Sequence, residues 1–326
     1  MKRILLIATG GTIASRKTND GLVPQLSPEE LLSYVPEAQA FCQIDTRQVL
    51  NLDSTNIQPQ HWLLIADTVR TCYDTYDGFV ICHGTDTMAY TAAALSYLIR
   101  GSAKPIVVTG SQKPIDMDVT DAKTNLEDSL RWASAGEPGV CIVFGGRVIA
   151  GTRARKIRSK SYNAFSSINF PELAVIRDGR IVKYMHFPAE GKPEFSDSLD
   201  TRVSALKLTP GLPAAAFSAV GQLCDGFIIE SYGVGGVPDL YGEALAQLSE
   251  AGKTIVVATQ VPHEGSDMAV YQVGHRAKER FGLLETYDMT LESTVTKLMW
   301  ALAQTHEPQR VRKLFYTTIN HDILWG

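Results

Sequence analysis

The chain reads as an α/β protein: a largely parallel, doubly wound sheet in a larger N-terminal domain, followed by a smaller C-terminal α/β domain. Three observations predict this. Short apolar runs alternate with helical stretches, the pattern of right-handed βαβ units. The 326 residues exceed one comfortable core and suit two domains. Glycines and hydroxyl residues directly follow two of the apolar runs, where the carboxyl ends of parallel strands open a ligand crevice.

Taken in order, Ile4-Leu5-Leu6-Ile7 opens the series as a strand and runs into Ala8-Thr9-Gly10-Gly11-Thr12. The polar segment 15–25 predicts a mobile loop. Ser27-Pro28-Glu29-Glu30 supplies an N-cap, a proline at N1 and a glutamate at N3, so a helix begins there. Residues 43–50 read as extended, and Pro59 opens a helix to about residue 73 with Trp62, Ile65, Ala66 and Val69 on one face. Strands at 78–82, 104–109 and 140–144 alternate with helices at 86–100 and 121–135, and the strand at 140–144 closes the series. Residues 148–186 are less regular, with short strands at 174–176 and 181–185. The aperiodic stretch 187–202 reads as a linker, which sets the domains at 1–186 and 203–326. The second domain offers strands at 203–208, 227–230 and 254–259, with helices near 239–251, 290–303 and 307–314.

Composition narrows the function. Apolar residues at 44% and charged residues at 20% are ordinary, and 31 basic against 35 acidic side chains leave a net charge of −4. The run Arg153-Ala154-Arg155-Lys156-Ile157-Arg158-Ser159-Lys160 is the densest positive stretch, but in a mildly acidic chain it predicts no nucleic-acid partner. The N-terminal apolar run is shorter than a signal-peptide core and is cut by Gly10-Gly11, so no membrane partner is expected. Five scattered cysteines include no C-x-x-C pair and no metal spacing; with Cys82 and Cys141 inside apolar runs, they predict a reducing, cytoplasmic setting.

The candidate chemistry lies in hydroxyls. Thr12 follows two glycines that let the backbone approach a ligand closely. Its hydroxyl needs a base or nearby dipoles to become a nucleophile. The plainer alternative is a tight βα turn or a weak phosphate-binding loop; a G-x-G-x-x-G fingerprint is absent. Thr85-Asp86 stands at a second strand end before a helix, where amides favour negative charge, although Asp86 alone also reads as an N-cap. If Lys156 leaves the solvated face its basic run suggests, Thr85, Asp86 and Lys156 form a hydroxyl–carboxylate–ammonium relay able to shuttle a proton. Asp53-Ser54-Thr55 could hold a substrate carboxylate and ammonium, or could be only an Asx- or ST-turn. Ser231-Tyr232-Gly233-Val234-Gly235-Gly236 reads equally as a ligand-facing backbone surface or a plain turn.

In their order along the chain these segments resemble the bacterial-type L-asparaginase family, in its cytoplasmic type I form. Residues 8–14 and 77–88 resemble its two threonine signatures. Residues 51–55, 109–112, 153–159, 231–236 and 288–300 are similar to further family segments. The resemblance implies a homo-oligomeric amidohydrolase of asparagine catabolism, a dimer or tetramer that uses no metal or organic cofactor. It would convert L-asparagine to L-aspartate and ammonia through an acyl-threonine intermediate. It assigns Thr12 as nucleophile and Thr85, Asp86 and Lys156 as the second catalytic group. Ser54 and Asp86 would grip the substrate, with Asp53, Thr55 and Thr85 beside them. Backbone N–H groups near Thr12 and Thr85 would form the oxyanion hole, and the C-terminal domain of one subunit would complete the site of another. Leu22 stands where many members carry a tyrosine near the nucleophile, and Gly236 where a side-chain amide is common. Either another group then activates Thr12, with Lys156 through Thr85 or a tyrosine such as Tyr232 as candidates, or turnover is slow. Two alternatives remain open: a non-catalytic amino-acid sensor that kept the pocket, and the amidase subunit of a tRNA-dependent amidotransferase. That subunit has an extra N-terminal domain, for which the signature at residue 8 is expected to leave no room.

Overall fold

The computed structural model describes residues 1–19, 21–186 and 191–324. Its contacts divide into two compact units, Met1–Asp197 and Ser198–Gly326.

The first unit begins with β1 (Lys2–Gly10), buried from Ile4 onward. The segment expected to be a mobile loop instead forms a hairpin, β2 (Ser15–Thr18) with β3 (Gly21–Pro24). The pairing of Thr18 with Gly21 leaves a two-residue connection between strands too short and polar to read as such; Asp20 itself lies outside the described residues. α1 (Pro28–Ser33) starts on a capping box in which Ser27 and Glu30 satisfy each other's backbone N–H. Then come β4 (Cys42–Leu52), α2 (Pro59–Cys72) and β5 (Gly78–Cys82). α3 (Met88–Leu98) is apolar nearly all round and buried along its length, as a core helix must be. It ends two residues before its expected limit, because β6 (Ile99–Arg100) turns away to pair with β14 (Glu194–Phe195), reinforced by an Arg100–Glu194 ion pair at 2.6 Å. Part of the stretch read as linker is therefore a strand; residues 187–190 lie outside the described residues.

Between those two strands run β7 (Pro105–Thr109), α4 (Ala122–Ala135), β8 (Gly139–Phe144), β9 (Arg147–Ala150), the hairpin β10 (Ala154–Lys156) with β11 (Phe165–Ser167), β12 (Ala174–Arg177) and β13 (Arg180–Lys183). The large sheet has the order β13-β12-β9-β8-β7-β5-β1-β4. Its β4-β1-β5-β7-β8 half is parallel, and the remaining strands are antiparallel additions at one side. The series therefore continues past residue 144 instead of closing there. Every residue of β5 and β7 is buried, which explains their unbroken apolar runs: parallel strands are covered on both faces. α4 lays Ala122, Leu126, Leu130 and Ala133 into one core with Ile4, Leu6, Val80 and Val107.

The second unit repeats the scheme on a smaller scale. β15 (Val203–Lys207), α5 (Ala214–Gln222), β16 (Gly226–Ser231), α6 (Gly242–Glu250), β17 (Thr254–Thr259), α7 (Gln272–Phe281) and β18 (Leu284–Glu285) give an all-parallel sheet in chain order. α8 (Leu291–Gln304) and α9 (Pro308–Tyr316) complete it. α5 and α7 were not expected from the sequence; α7 is marked only by its left-handed Gly282 stop.

Candidate active site

Glycines weld three strand ends together. Gly11 takes φ +78°, and a Cβ on it would lie 2.3 Å from the Gly84 nitrogen; a Cβ on Gly84 would lie 2.6 Å from Ser54 Oγ. At the ends of β1, β4 and β5, Gly10 and Gly11 therefore pack backbone on backbone and Gly84 packs on the Ser54 side chain, contacts that only glycine allows. The Gly11 N–H donates to the Leu52 carbonyl at 2.9 Å, and Thr9 Oγ1 to the Cys82 carbonyl at 2.8 Å. This junction sets the turns bearing Thr12, Ser54 and Thr85 side by side.

Thr12 opens a 3₁₀ turn, half-buried, and its hydroxyl has no hydrogen-bond partner among the described residues. Thr85 is buried and fully engaged. Lys156 Nζ donates to Thr85 Oγ1 at 2.8 Å and to Asp86 Oδ1 at 2.6 Å. The hairpin β10–β11 brings Lys156 there, leaving its side chain only 16% exposed against 57% for Asp86. Lys156 is thus not part of a solvated basic face. Ser54 Oγ accepts from the Asp86 N–H at 3.2 Å, and the Ser54 carbonyl from Thr87 Oγ1 at 2.7 Å. Asp53 and Thr55 turn toward each other instead: Asp53 Oδ1 accepts from the Thr55 N–H at 2.8 Å and from Thr55 Oγ1 at 2.7 Å. That is the Asx-turn of the plainer reading, and both residues are exposed.

Three polar groups behind this crevice were given no role by the sequence, although two of them, His83 and Gln112, lie in the family-like segments 77–88 and 109–112. His83 is fully buried, donating from Nδ1 to the Gly84 carbonyl at 2.6 Å, with Nε2 2.9 Å from Thr91 Oγ1. A carbonyl can only accept, so Nδ1 carries the proton, Nε2 accepts from Thr91, and Thr91 in turn accepts from Trp62 Nε1 at 2.9 Å. Burial pushes the imidazole down to about 4, so it is neutral and holds the Gly84–Thr85 peptide in a fixed plane. Gln112, just after β7, accepts from Thr85 Oγ1 at 3.1 Å. Asp121 holds the Gln112 N–H at 2.9 Å and the Lys113 N–H at 3.1 Å; burial raises its carboxyl above the ordinary value while these N–H groups oppose the rise. The signals in the sequence were the polar Ser111-Gln112 directly after a strand, and Asp121 and Asn125 one helical turn apart.

Leu22 sits on β3, paired with Lys17 and 45% exposed. In the second unit Tyr232 bridges to Gly236, whose backbone carbonyl accepts from Ser231 Oγ, and a Cβ on Gly236 would meet open space. Asp200, Asp225 and His306 place potential metal-ligand atoms within 4.8 Å of one another. Arg202 already spans the two carboxylates at 3.0 and 2.7 Å, and Lys253 adds a third contact at 3.1 Å, so the charge is balanced without an ion.

A threonine hydroxyl with no partner among the described residues thus stands on a turn packed against that of an ammonium-supported second hydroxyl, at parallel strand ends. The chain belongs to the asparaginase family: residues 3–188 match its N-terminal domain and residues 202–315 the glutaminase/asparaginase C-terminal domain. It is 41% identical over 325 residues to the L-asparaginase of Thermococcus kodakarensis, covering 98% of this chain and 99% of that one. The solved structure of the thermostable L-asparaginase from that organism superposes with a TM-score of 0.93 at 39% identity, covering 99% of this chain and 100% of the other. The structure of L-asparaginase I from Vibrio cholerae gives 0.89 at 29% identity, with 99% of each chain covered. A glutamyl-tRNA(Gln) amidotransferase subunit of Pyrococcus abyssi is 30% identical over 338 residues, covering 99% of this chain and 77% of the other.

Proposed function

We propose that the protein hydrolyses L-asparagine to L-aspartate and ammonia, with Thr12 as the acyl-carrying residue. The observation that carries this reading is the Thr12 hydroxyl, without a hydrogen-bond partner among the described residues, on the turn packed against the one that bears the Thr85–Lys156–Asp86 cluster. Thr12 Oγ1 attacks the side-chain amide carbon, the C–N bond breaks as the nitrogen takes up a proton and leaves as ammonia, and water then cleaves the ester to free aspartate and Thr12. Thr85, supported by Lys156, moves the proton; Ser54 and Asp86 hold the α-carboxylate and α-ammonium, with Asp53 and Thr55 at the rim. Backbone N–H groups near Thr12 and Thr85 stabilise the oxyanion, each such donor contributing about 2.7–4 kcal/mol to the transition state.

The higher identity with an L-asparaginase than with the amidotransferase relative favours this reading over the tRNA-dependent one. We assign the chemistry to the first unit, Met1–Asp197, which includes β14, with Ser198–Gly326 as the smaller domain. A homodimer or homotetramer is supported by exposed apolar side chains on the second unit, including Leu240, Val270 and Tyr271. Five buried, unpaired cysteines support a cytoplasmic role in asparagine catabolism, and no helix among the described residues is long and apolar enough to cross a membrane. The test is ammonia release from L-asparagine by wild type and by Thr12→Ala. Equal rates from the two would sink the threonine mechanism, and saturable binding without aspartate formation would identify a sensor.

A further inference from the structure

We propose that Gln112 is a positioning residue that fixes the direction in which the Thr85–Lys156 pair hands on a proton. The role rests on the asparaginase reading; the hydrogen-bond geometry behind it does not.

The direction follows from the partners. Gln112 Nε2 lies 3.2 Å from the Ser161 carbonyl, which can only accept, so the amide must present its NH₂ there. Its Oε1 therefore faces Thr85 Oγ1 at 3.1 Å, and the Thr85 hydroxyl must be the donor. Lys156 reaches the same hydroxyl oxygen as a donor at 2.8 Å. Every bond in the chain thus points one way, from Lys156 to Thr85 to Gln112 to the Ser161 carbonyl. In this resting arrangement Thr85 cannot pass its proton to Lys156. It can give that proton to a substrate or leaving group only by releasing Gln112. A neutral amide oxygen suits the task, because it orients a hydroxyl while holding it less tightly than a carboxylate would.

The amide is itself anchored. Asp121, 7% exposed, accepts the Gln112 N–H through both oxygens at 2.9 and 3.1 Å. Asn125, 1% exposed, donates to Asp121 at 3.2 Å and to the Gly110 carbonyl at 2.9 Å, and accepts the Gly145 N–H at 2.9 Å. The first turn of α4 therefore pins the segment after β7 and with it the reach of the amide.

The experiment compares Gln112→Glu and Gln112→Met with wild type over the full pH profile of asparagine hydrolysis. Gln112→Glu keeps the length but grips the Thr85 proton with a charged acceptor and favours the protonated relay. Its kcat should fall about tenfold, and its pH profile should move up by about one unit. KM should stay within about twofold of wild type. Gln112→Met offers no acceptor for the hydroxyl, so kcat should fall severalfold with the profile in place. A merely structural role predicts unshifted profiles with lowered melting temperatures, and that result overturns the proposal. Should Gln112→Met fail to fold, the near-isosteric Gln112→Glu carries the test. A readout independent of turnover is the side-chain amide NMR signal of Gln112, assigned by its loss in Gln112→Glu. It should shift in Thr85→Val, and an unmoved signal would refute the contact. A wild-type protein that releases no ammonia would instead overturn the asparaginase reading, with the amide signal still deciding whether Gln112 holds Thr85.

Discussion

Two lysine–aspartate pairs in this molecule have the same length and opposite characters. Lys156–Asp86 and Lys297–Asp322 both close to 2.6 Å. The second is 0% exposed at both side chains and is tied further to local backbone: Lys297 Nζ donates to the Thr317 carbonyl at 2.8 Å, and Asp322 accepts the Ile319 N–H at 2.9 Å. It is a clamp joining α8 to the segment after α9. The first pair keeps Asp86 more than half exposed and gives its lysine a hydroxyl as second partner. A buried pair must satisfy all its polar atoms or carry a large desolvation cost. A pair that serves chemistry must leave one face open to substrate. Burial and the kind of second partner separate the two roles; distance does not.

The largest expected effect breaks the open pair. Lys156→Met should lower kcat at least about a thousandfold, within the range of general acid–base contributions. The melting temperature should move by less than about 3 °C, since a partly exposed pair contributes little stability. Thr12→Ala should abolish ammonia release with equally little thermal change. The closed pair should show the reverse. Asp322→Asn leaves a buried ammonium short of its counter-charge and should cost about 3–5 kcal/mol in denaturant unfolding, with turnover per folded molecule unchanged. A kinetic defect in that variant at full folding would erase the distinction drawn between the pairs.

A third test uses two buried titratable groups whose ionisation is set chiefly by burial. Asp128 on α4 is 6% exposed, and burial pushes its carboxyl up to about 7, with Glu127 adding to the rise and Arg131 and Arg177 opposing it. The folded state therefore holds this proton where the unfolded chain has lost it, so stability falls as pH rises from about 4 to about 7. His83 acts in the opposite sense. Its imidazole, at about 4 when folded, stays neutral where the unfolded chain takes up a proton, so stability rises between about pH 4 and 6.5. The two slopes offset each other in the wild-type protein. Asp128→Asn should remove one of them, stabilising the fold by up to roughly 4 kcal/mol at pH 8 and leaving a rising slope below pH 6.5. Chemical unfolding across pH measures both, and a flat difference between variant and wild type would refute the assignment. The smallest effect belongs to the exposed Asx-turn. Asp53→Ala should cost about 1 kcal/mol in unfolding free energy, the size of a lost side-chain cap.

Much of the fold was legible because burial writes itself into composition. β5 and β7 are unbroken apolar runs since both faces of their parallel sheet are covered, and α1 is announced by Ser27 and Glu30. The hairpin at Ser15–Thr18 and Gly21–Pro24 was hidden because its residues read as polar loop and its pairing buries few of them. After residue 144 the strands β12 and β13 were legible, while β9 and the β10–β11 hairpin were hidden because each strand is only three or four residues long. At the site, Thr12, Thr85 and Asp86 stand in glycine-marked turns that a sequence displays. Gln112 and His83 stand in the same kind of segment, but their roles depend on which distant groups they meet, Ser161 for one and Thr91 for the other, and the sequence does not record that.

By itself, then, the sequence determined the βαβ alternation, the two threonine-bearing strand ends and the family resemblance, because each is carried by residues close together in the chain. The tertiary structure decided whether Lys156 faces water or Thr85, a contact across 71 positions that depends on the β10–β11 hairpin folding over the crevice. It also decided that Asp53 and Thr55 satisfy each other, and that Gln112 Oε1 accepts the Thr85 hydroxyl's hydrogen bond. Hydrogen bonds are directional and reach only about 3 Å. Which of several plausible polar partners meet is therefore set by how the strand ends pack, and no periodicity in the chain records it.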